Sequence, residues 1–142
     1  MYNCDEDEII KFQADFDEDF DNVMIEILGN CKRLYFLNSR GFGINSIYSN
    51  SKFNRSVNLL PQNITHIKFG YSFNQPVDNL PFYLIWLEFG YSFNHSVDML
   101  PNSITYLVFG NKFNQSVDNL PNCLEFLSLG LEFNKSIDSL PR

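Results

Sequence analysis

One six-letter phrase constrains this chain more than anything else in it. FNRSVN, FNQPVD, FNHSVD, FNQSVD and FNKSID begin at Phe53, Phe73, Phe93, Phe113 and Phe133, twenty residues apart each time. A Leu-Pro pair closes every copy, at Leu60-Pro61, Leu80-Pro81, Leu100-Pro101, Leu120-Pro121 and Leu140-Pro141, and the apolar stretches ITHIKFG, LIWLEFG, ITYLVFG and LEFLSLG lie between copies. A strict period of this length points to a solenoid, in which a short unit that cannot bury its apolar face alone stacks on copies of itself.

Within a unit the inward positions are those of Ile64, Ile67, Phe69, Phe73, Val77 and Leu80. The stretch ITHIKF alternates with a period of two, which sends Ile67 and Phe69 inward and His66 and Lys68 outward on a strand of a parallel sheet running from coil to coil. No segment between Gly70 and Pro81 is long enough to require a helix, and Pro76 shows that the amide at that position is dispensable, so the return path should be extended without a continuous ladder. Glycine at 70, 90, 110 and 130 suggests positive φ. Aligning INSIYSNSKF with ITHIKFGYSF starts the first coil near Ile44, with Ser46 and Tyr48 outward and Asn50 in the glycine position.

These phrases, with their LP and FG flanks, resemble the FNIP repeat, a unit related to leucine-rich repeats. The resemblance covers residues 44–142, where five copies agree at eight or more positions. It implies a repeat with no catalytic activity of its own, typical of amoebae and of the large DNA viruses that infect them, and often found beside an F-box. The expected fold is therefore a β-rich, leucine-rich-repeat-like solenoid of about five 20-residue coils, closed at its N-terminal end by a short helix.

That helix is predicted over residues 22–37, where Val23, Met24, Ile27, Leu28, Cys31, Leu34 and Tyr35 fall on one face, Asp21 serves as N-cap, and Lys32 and Arg33 lie near the C-terminal end. The chain thus divides into an acidic segment (1–21), a capping helix and link (22–43) and the repeats (44–142). The wording ILGNCKRLYFL is also similar to the tail of an F-box, which implies a remnant there, since a complete F-box needs about forty residues. Nine acids against Lys11 place a charge of −8 in residues 1–21 of a chain whose net charge is −7, leaving the rest at +1. Such a run reads as a solvated tail, with an amphipathic docking segment built on Ile9, Ile10, Phe12, Phe16 and Phe20 as the alternative. Nearly neutral repeats imply neither nucleic acid nor an anionic membrane surface as partner.

Three cysteines without CxxC spacing, and a start lacking basic and apolar signal-peptide regions, point to a reducing interior, the cytoplasm, or the host cytoplasm for a viral protein. Four of the five Asn-x-Ser/Thr triplets fall on the repeat asparagine, expected to be buried. Two ladders follow from the period. Phe53, Phe73, Phe93, Phe113 and Phe133 should stack about 5 Å apart along the axis, and Asn54, Asn74, Asn94, Asn114 and Asn134 should hydrogen-bond turn backbone between coils. A row of Asp78, Asp98, Asp118 and Asp138, with Asn58 in the first coil, needs compensation, which an Asx-type bond supplies more readily than calcium.

Catalytic chemistry finds little support. His66 and His95 are the only imidazoles, and His95-Ser96 with Asp98 is a repeat variant on an extended segment whose neighbours point to opposite faces. No zinc spacing or phosphate loop is present, and no cofactor is expected. The outward face is different. His66 and Lys68, Trp86 and Glu88, Tyr106 and Val108, and Phe126 place four large rings in one row, the composition that protein-binding surfaces favour. The expected function is a non-enzymatic module that binds an unknown protein through this face, with the alternative of a repeat fragment that only self-associates through its uncapped C-terminal end.

Overall fold

A computed structural model describes residues 9–12, 16–18, 28–29, 31–36 and 51–140. These residues form a parallel β-solenoid of about five turns, with almost no helix among them. Its short strands are β1 (Ile9–Phe12), β2 (Arg33–Phe36), β3 (His66–Lys68), β4 (Trp86–Glu88), β5 (Tyr106–Val108) and β6 (Phe126–Ser128). They form one parallel sheet in the order β1-β2-β3-β4-β5-β6.

The regular coil follows from its turn chemistry. After β3, β5 and β6 the chain turns with a bond from the N–H of the phrase phenylalanine, from Phe73, Phe113 and Phe133 to the carbonyls of Gly70, Gly110 and Gly130 at 3.4, 3.2 and 3.2 Å. Two more turns bend the return path before Leu and after Pro, with Leu100 N–H donating to Val97 O at 3.3 Å and Ile104 N–H to Pro101 O at 3.2 Å. Leu-Pro suits this corner because proline fixes φ and gives up a donor that the turn does not use. No strand forms on the return side among the described residues, as Pro76 implies.

The core is a zigzag of phenylalanines. The rings of Phe53, Phe73, Phe93, Phe113 and Phe133 follow one another at 6.0–6.1 Å and nearly parallel. Within the coil Phe73, Phe93 and Phe113 each lie against the phenylalanine four residues earlier, just after the strand, at 3.8 Å for Phe69–Phe73 and 3.7 Å for Phe89–Phe93 and Phe109–Phe113. Offset stacking of this kind adds about 0.5–1.5 kcal/mol per pair to the burial of the rings.

The glycines are needed for a different reason than the sequence suggests. None of Gly70, Gly90, Gly110 and Gly130 has φ in the left-handed region. A Cβ on Gly90 would stand 1.9 Å from the Gly70 carbonyl oxygen, and Gly110 and Gly130 meet the coil before them in the same way. Glycine is demanded by close approach of backbones, which the period reveals only as a recurrent small residue. The proposed role of Asn50 lies outside the described residues.

The N-terminal third departs most from expectation. Arg33–Phe36, the end of the predicted capping helix, is a strand in register with β3. The apolar spacing that reads as a helical face is met here by a strand, because Leu34 and Phe36 turn inward and Arg33 and Tyr35 outward. Ahead of the strand, Cys31 N–H closes a turn on the Leu28 carbonyl at 2.9 Å, and residues 22–27, 30 and 37 of that helix lie outside the described residues. β2 also takes the place next to β3 that the alignment gave to the segment around Ser46 and Tyr48. Residues 9–12 are not a solvated tail: Ile10, Phe12 and, beyond the strand, Phe16 are buried.

Candidate functional site

Register alone assembles the face. The outward positions of the strands form two rows, Ile9, Arg33, His66, Trp86, Tyr106, Phe126 and Lys11, Tyr35, Lys68, Glu88, Val108, Ser128. Every candidate from the repeats is brought together here. The sequence reading missed Lys11, Arg33 and Tyr35, and the signal that could have found them is the likeness of IIKFQADF to HIKFGYSF, with two phenylalanines four residues apart.

The first row is a stack seen from its edges. Trp86 lies on Tyr106 at 5.4 Å and 12°, Tyr106 on Phe126 at 4.4 Å and 7°, and His66 against Trp86 at 6.3 Å and 26°. Tyr35 meets Trp86 edge-on at 6.3 Å. Trp86 and Tyr106 are half-buried by these contacts, and Phe126 is exposed. Thr65 Oγ1 lies 2.8 Å from His66 Nδ1, and burial, followed by the Arg33 guanidinium, lowers the His66 pKa below its ordinary value. In the second row Lys68 Nζ sits 2.6 Å from Glu88 Oε1.

The face widens around β4. Neighbouring coils enter their strands through QNITH, NSITY and NCLEF, but this one does so through FYLIW. Phe82, Tyr83 and Ile85 are exposed as a result, at 76%, 70% and 43%.

The asparagine row is a ladder, but not a buried one. Asn54 Oδ1 accepts the N–H of Asn74 at 2.8 Å, and the bond recurs from Asn74 to Asn94, Asn94 to Asn114 and Asn114 to Asn134 at 2.9–3.1 Å. Four of the five residues are exposed and Asn114 is half-buried. The aspartates are compensated locally: Ser96 Oγ donates to Asp98 Oδ2 at 2.8 Å, and Asn119 Nδ2 to Asp98 Oδ1 at 3.1 Å. Both bonds lower the Asp98 pKa, the serine bond most. Among the described residues no cluster of His, Cys, Asp or Glu could hold a metal ion.

Cys123 is free and exposed, whereas Cys31 is disulfide-bonded, so the odd cysteine count carries no argument about the compartment. No described helix is long and apolar enough to cross a membrane.

Comparison with known proteins agrees with the period. The family model described as FNIP Repeat matches residues 53–92, 76–112 and 93–131, which together span more than half of the chain. No curated protein matches it.

Proposed function

The chain belongs to the FNIP repeat family, and from that premise we propose that it is a non-catalytic protein-interaction module whose binding surface is the outward face of the sheet. The observation that carries this reading is the row Trp86, Tyr106 and Phe126, three large rings outside the core on consecutive strands. The core does not require them, since Leu87, Leu107 and the paired phenylalanines fill the interior. Aromatic anchors on a rigid element supply contact area at low entropic cost. Exposed Phe82, Tyr83 and Ile85 enlarge the surface on the β4 side.

In the finer form of this proposal the module recognises substrates for a ubiquitin-ligase adaptor. Residues 33–36 of the stretch similar to an F-box tail form β2, so the F-box in this reading is decayed or supplied elsewhere. The test is affinity capture from the native host cell with wild type and Trp86→Ala side by side, after their urea stabilities have been matched. A partner kept by the wild type and lost by the variant supports the reading. Equal capture assigns the row to internal packing.

A second reading, self-association, is favoured by the last described coil. Leu131 and Ile137 are 87% and 54% exposed, and Phe133 is only partly buried where its counterparts are fully so. Unpaired strand edges beside apolar surface recruit further strands. Light scattering at high micromolar concentration should then show oligomers that Leu131→Asp disperses. A monomer throughout would remove this reading.

A further inference from the structure

β1 and β2 change the chemistry of the face. Its basic side chains, Lys11, Arg33, His66 and Lys68, all belong to β1–β3, where Ile9 and Tyr35 are the other outward residues, whereas the outward positions of β4–β6 carry Trp86, Tyr106, Val108 and Phe126 and no cation. Glu88 is the single carboxylate among the twelve outward strand positions, and Lys68 neutralises it. Lys11 and Arg33 form no ion pair with a described residue, and Lys11 is exposed. A chain with net charge −7 thus carries, at one end of this strip, cations that no described residue pairs.

The rings narrow the ligand further. Because Trp86, Tyr106 and Phe126 cover one another's faces, they offer their edges to a partner. Ring edges carry the positive end of the quadrupole and suit carbonyl oxygens and other side chains, whereas stacking of sugar rings needs open faces.

Resting on the sheet face as the interaction surface, we propose that its occupant is an extended linear segment of another protein, lying along the solenoid axis, acidic where it crosses β1–β3 and apolar where it crosses β4–β6. Five steps of about 4.8 Å make the strip about 24 Å long, which matches about seven residues of extended chain at roughly 3.4 Å each. Carboxylates meet Lys11 and Arg33, and the apolar half packs along the edges of Trp86, Tyr106 and Phe126. Exposed charges of this sort contribute more to selection and encounter than to raw affinity, so the segment's acidity should act as a filter.

Trp86 is the only tryptophan, so its fluorescence reports on this face alone. The probes are two blocked nonapeptides, each with four charged residues, a glycine and four apolar residues, one built with Glu and Asp and the other with Lys. The acidic peptide should shift Trp86 emission and bind more weakly as salt rises, while the lysine peptide should not bind. Lys11→Glu and Arg33→Glu should each weaken the acidic peptide by about tenfold, and Arg33→Glu should admit the lysine peptide. Equal binding of both peptides, abolished by Trp86→Ala, would keep the face as a binding surface and overturn the acidic ligand class. No binding of either at millimolar concentration, while cellular capture still depends on Trp86, would overturn it as well. Binding that emerges only when Asp5, Glu6, Asp7 and Glu8 are changed to their amides would make the chain's own leading segment the occupant, contrary to the proposal.

Discussion

Residues 51–140, through β3–β6, and the N-terminal region, through β1 and β2, build the same sheet from different sequences. In the repeats each strand follows the last by 20 residues, as Leu87 follows Ile67 and Leu107 follows Leu87. In the N-terminal region Leu34 pairs with Ile10 and with Ile67, steps of 24 and 33 residues. The extra residues lie between strands and leave the stack itself intact. Phe12, Phe36 and Phe69 stand 5.0 and 5.6 Å apart, close to the 5.6 Å of Phe69 and Phe89. Phe16 extends the second column, 5.7 Å from Phe53. A coil is thus defined by what its neighbour needs, two stacked rings, a strand and an acceptor for one amide, and the written period is only the most regular way to supply them.

The ladder shows this residue by residue. Asp17 Oδ1 accepts the N–H of Asn54 at 3.2 Å, as each later asparagine accepts from the next. The following position adapts: Gln75 and Gln115 donate to the preceding asparagine, whereas Arg55 donates to both carboxylate oxygens of Asp17, at 3.2 and 3.3 Å. An acid in the ladder is answered by a cation in the next coil.

The sharpest way to break the comparison is to remove one ring from each region. Phe93→Ala and Phe16→Ala should both cost about 3–5 kcal/mol in urea unfolding, the usual loss for a buried phenylalanine. A loss below about 1 kcal/mol for Phe16→Ala would make the N-terminal coil peripheral. Gly90→Ala, whose Cβ has no room beside the Gly70 carbonyl, should cost about 1–3 kcal/mol by forcing the backbones apart. Wild-type stability in that variant would mean that the coils slide freely.

The ladder should respond less. Asn94→Ala leaves the Asn114 amide and the Gln115 side chain to water, an expected loss of about 0.5–1.5 kcal/mol, and a double-mutant cycle on Asp17 and Arg55 should give at most about 1 kcal/mol, shrinking with salt. A coupling that high salt does not reduce would contradict the exposed geometry. The smallest effect is the pH response of His66. Its folded pKa is lowered, so the neutral ring contributes stability that is fully present above the unfolded pKa of about 6.5 and is lost as pH falls through that value toward the folded one. His66→Gln should flatten this part of the stability profile between pH 7.5 and 5.5, and an unchanged slope would assign it to other groups.

The difference between the regions also explains how much the sequence revealed. The repeats were legible down to the outward row and the asparagine bonds, because five copies print the same inward positions. Glycine's role was misread, since close backbone approach and positive φ leave the same letter. Arg33–Phe36 reads as helix in the sequence because Leu28, Cys31, Leu34 and Tyr35 satisfy a helical step as well as a strand entered from a turn, and nothing local separates the two. Burial of Ile10, Phe12 and Phe16 was hidden by the acids around them, which dominate the composition of residues 1–21. The basic end of the candidate site was lost with those strands.

Amide hydrogen exchange across the junction tests the single continuous stack most directly. Thr65 and His66 donate to the Lys32 carbonyl at 2.8 and 3.1 Å, and Ile85 and Trp86 donate to the Thr65 carbonyl at the same distances. If residues 9–36 are coils like the others, the two pairs of amides should be protected to within about tenfold of each other. Thr65 and His66 exchanging orders of magnitude faster, while Ile85 and Trp86 stay protected, would contradict it and leave β3 as the true edge of the sheet.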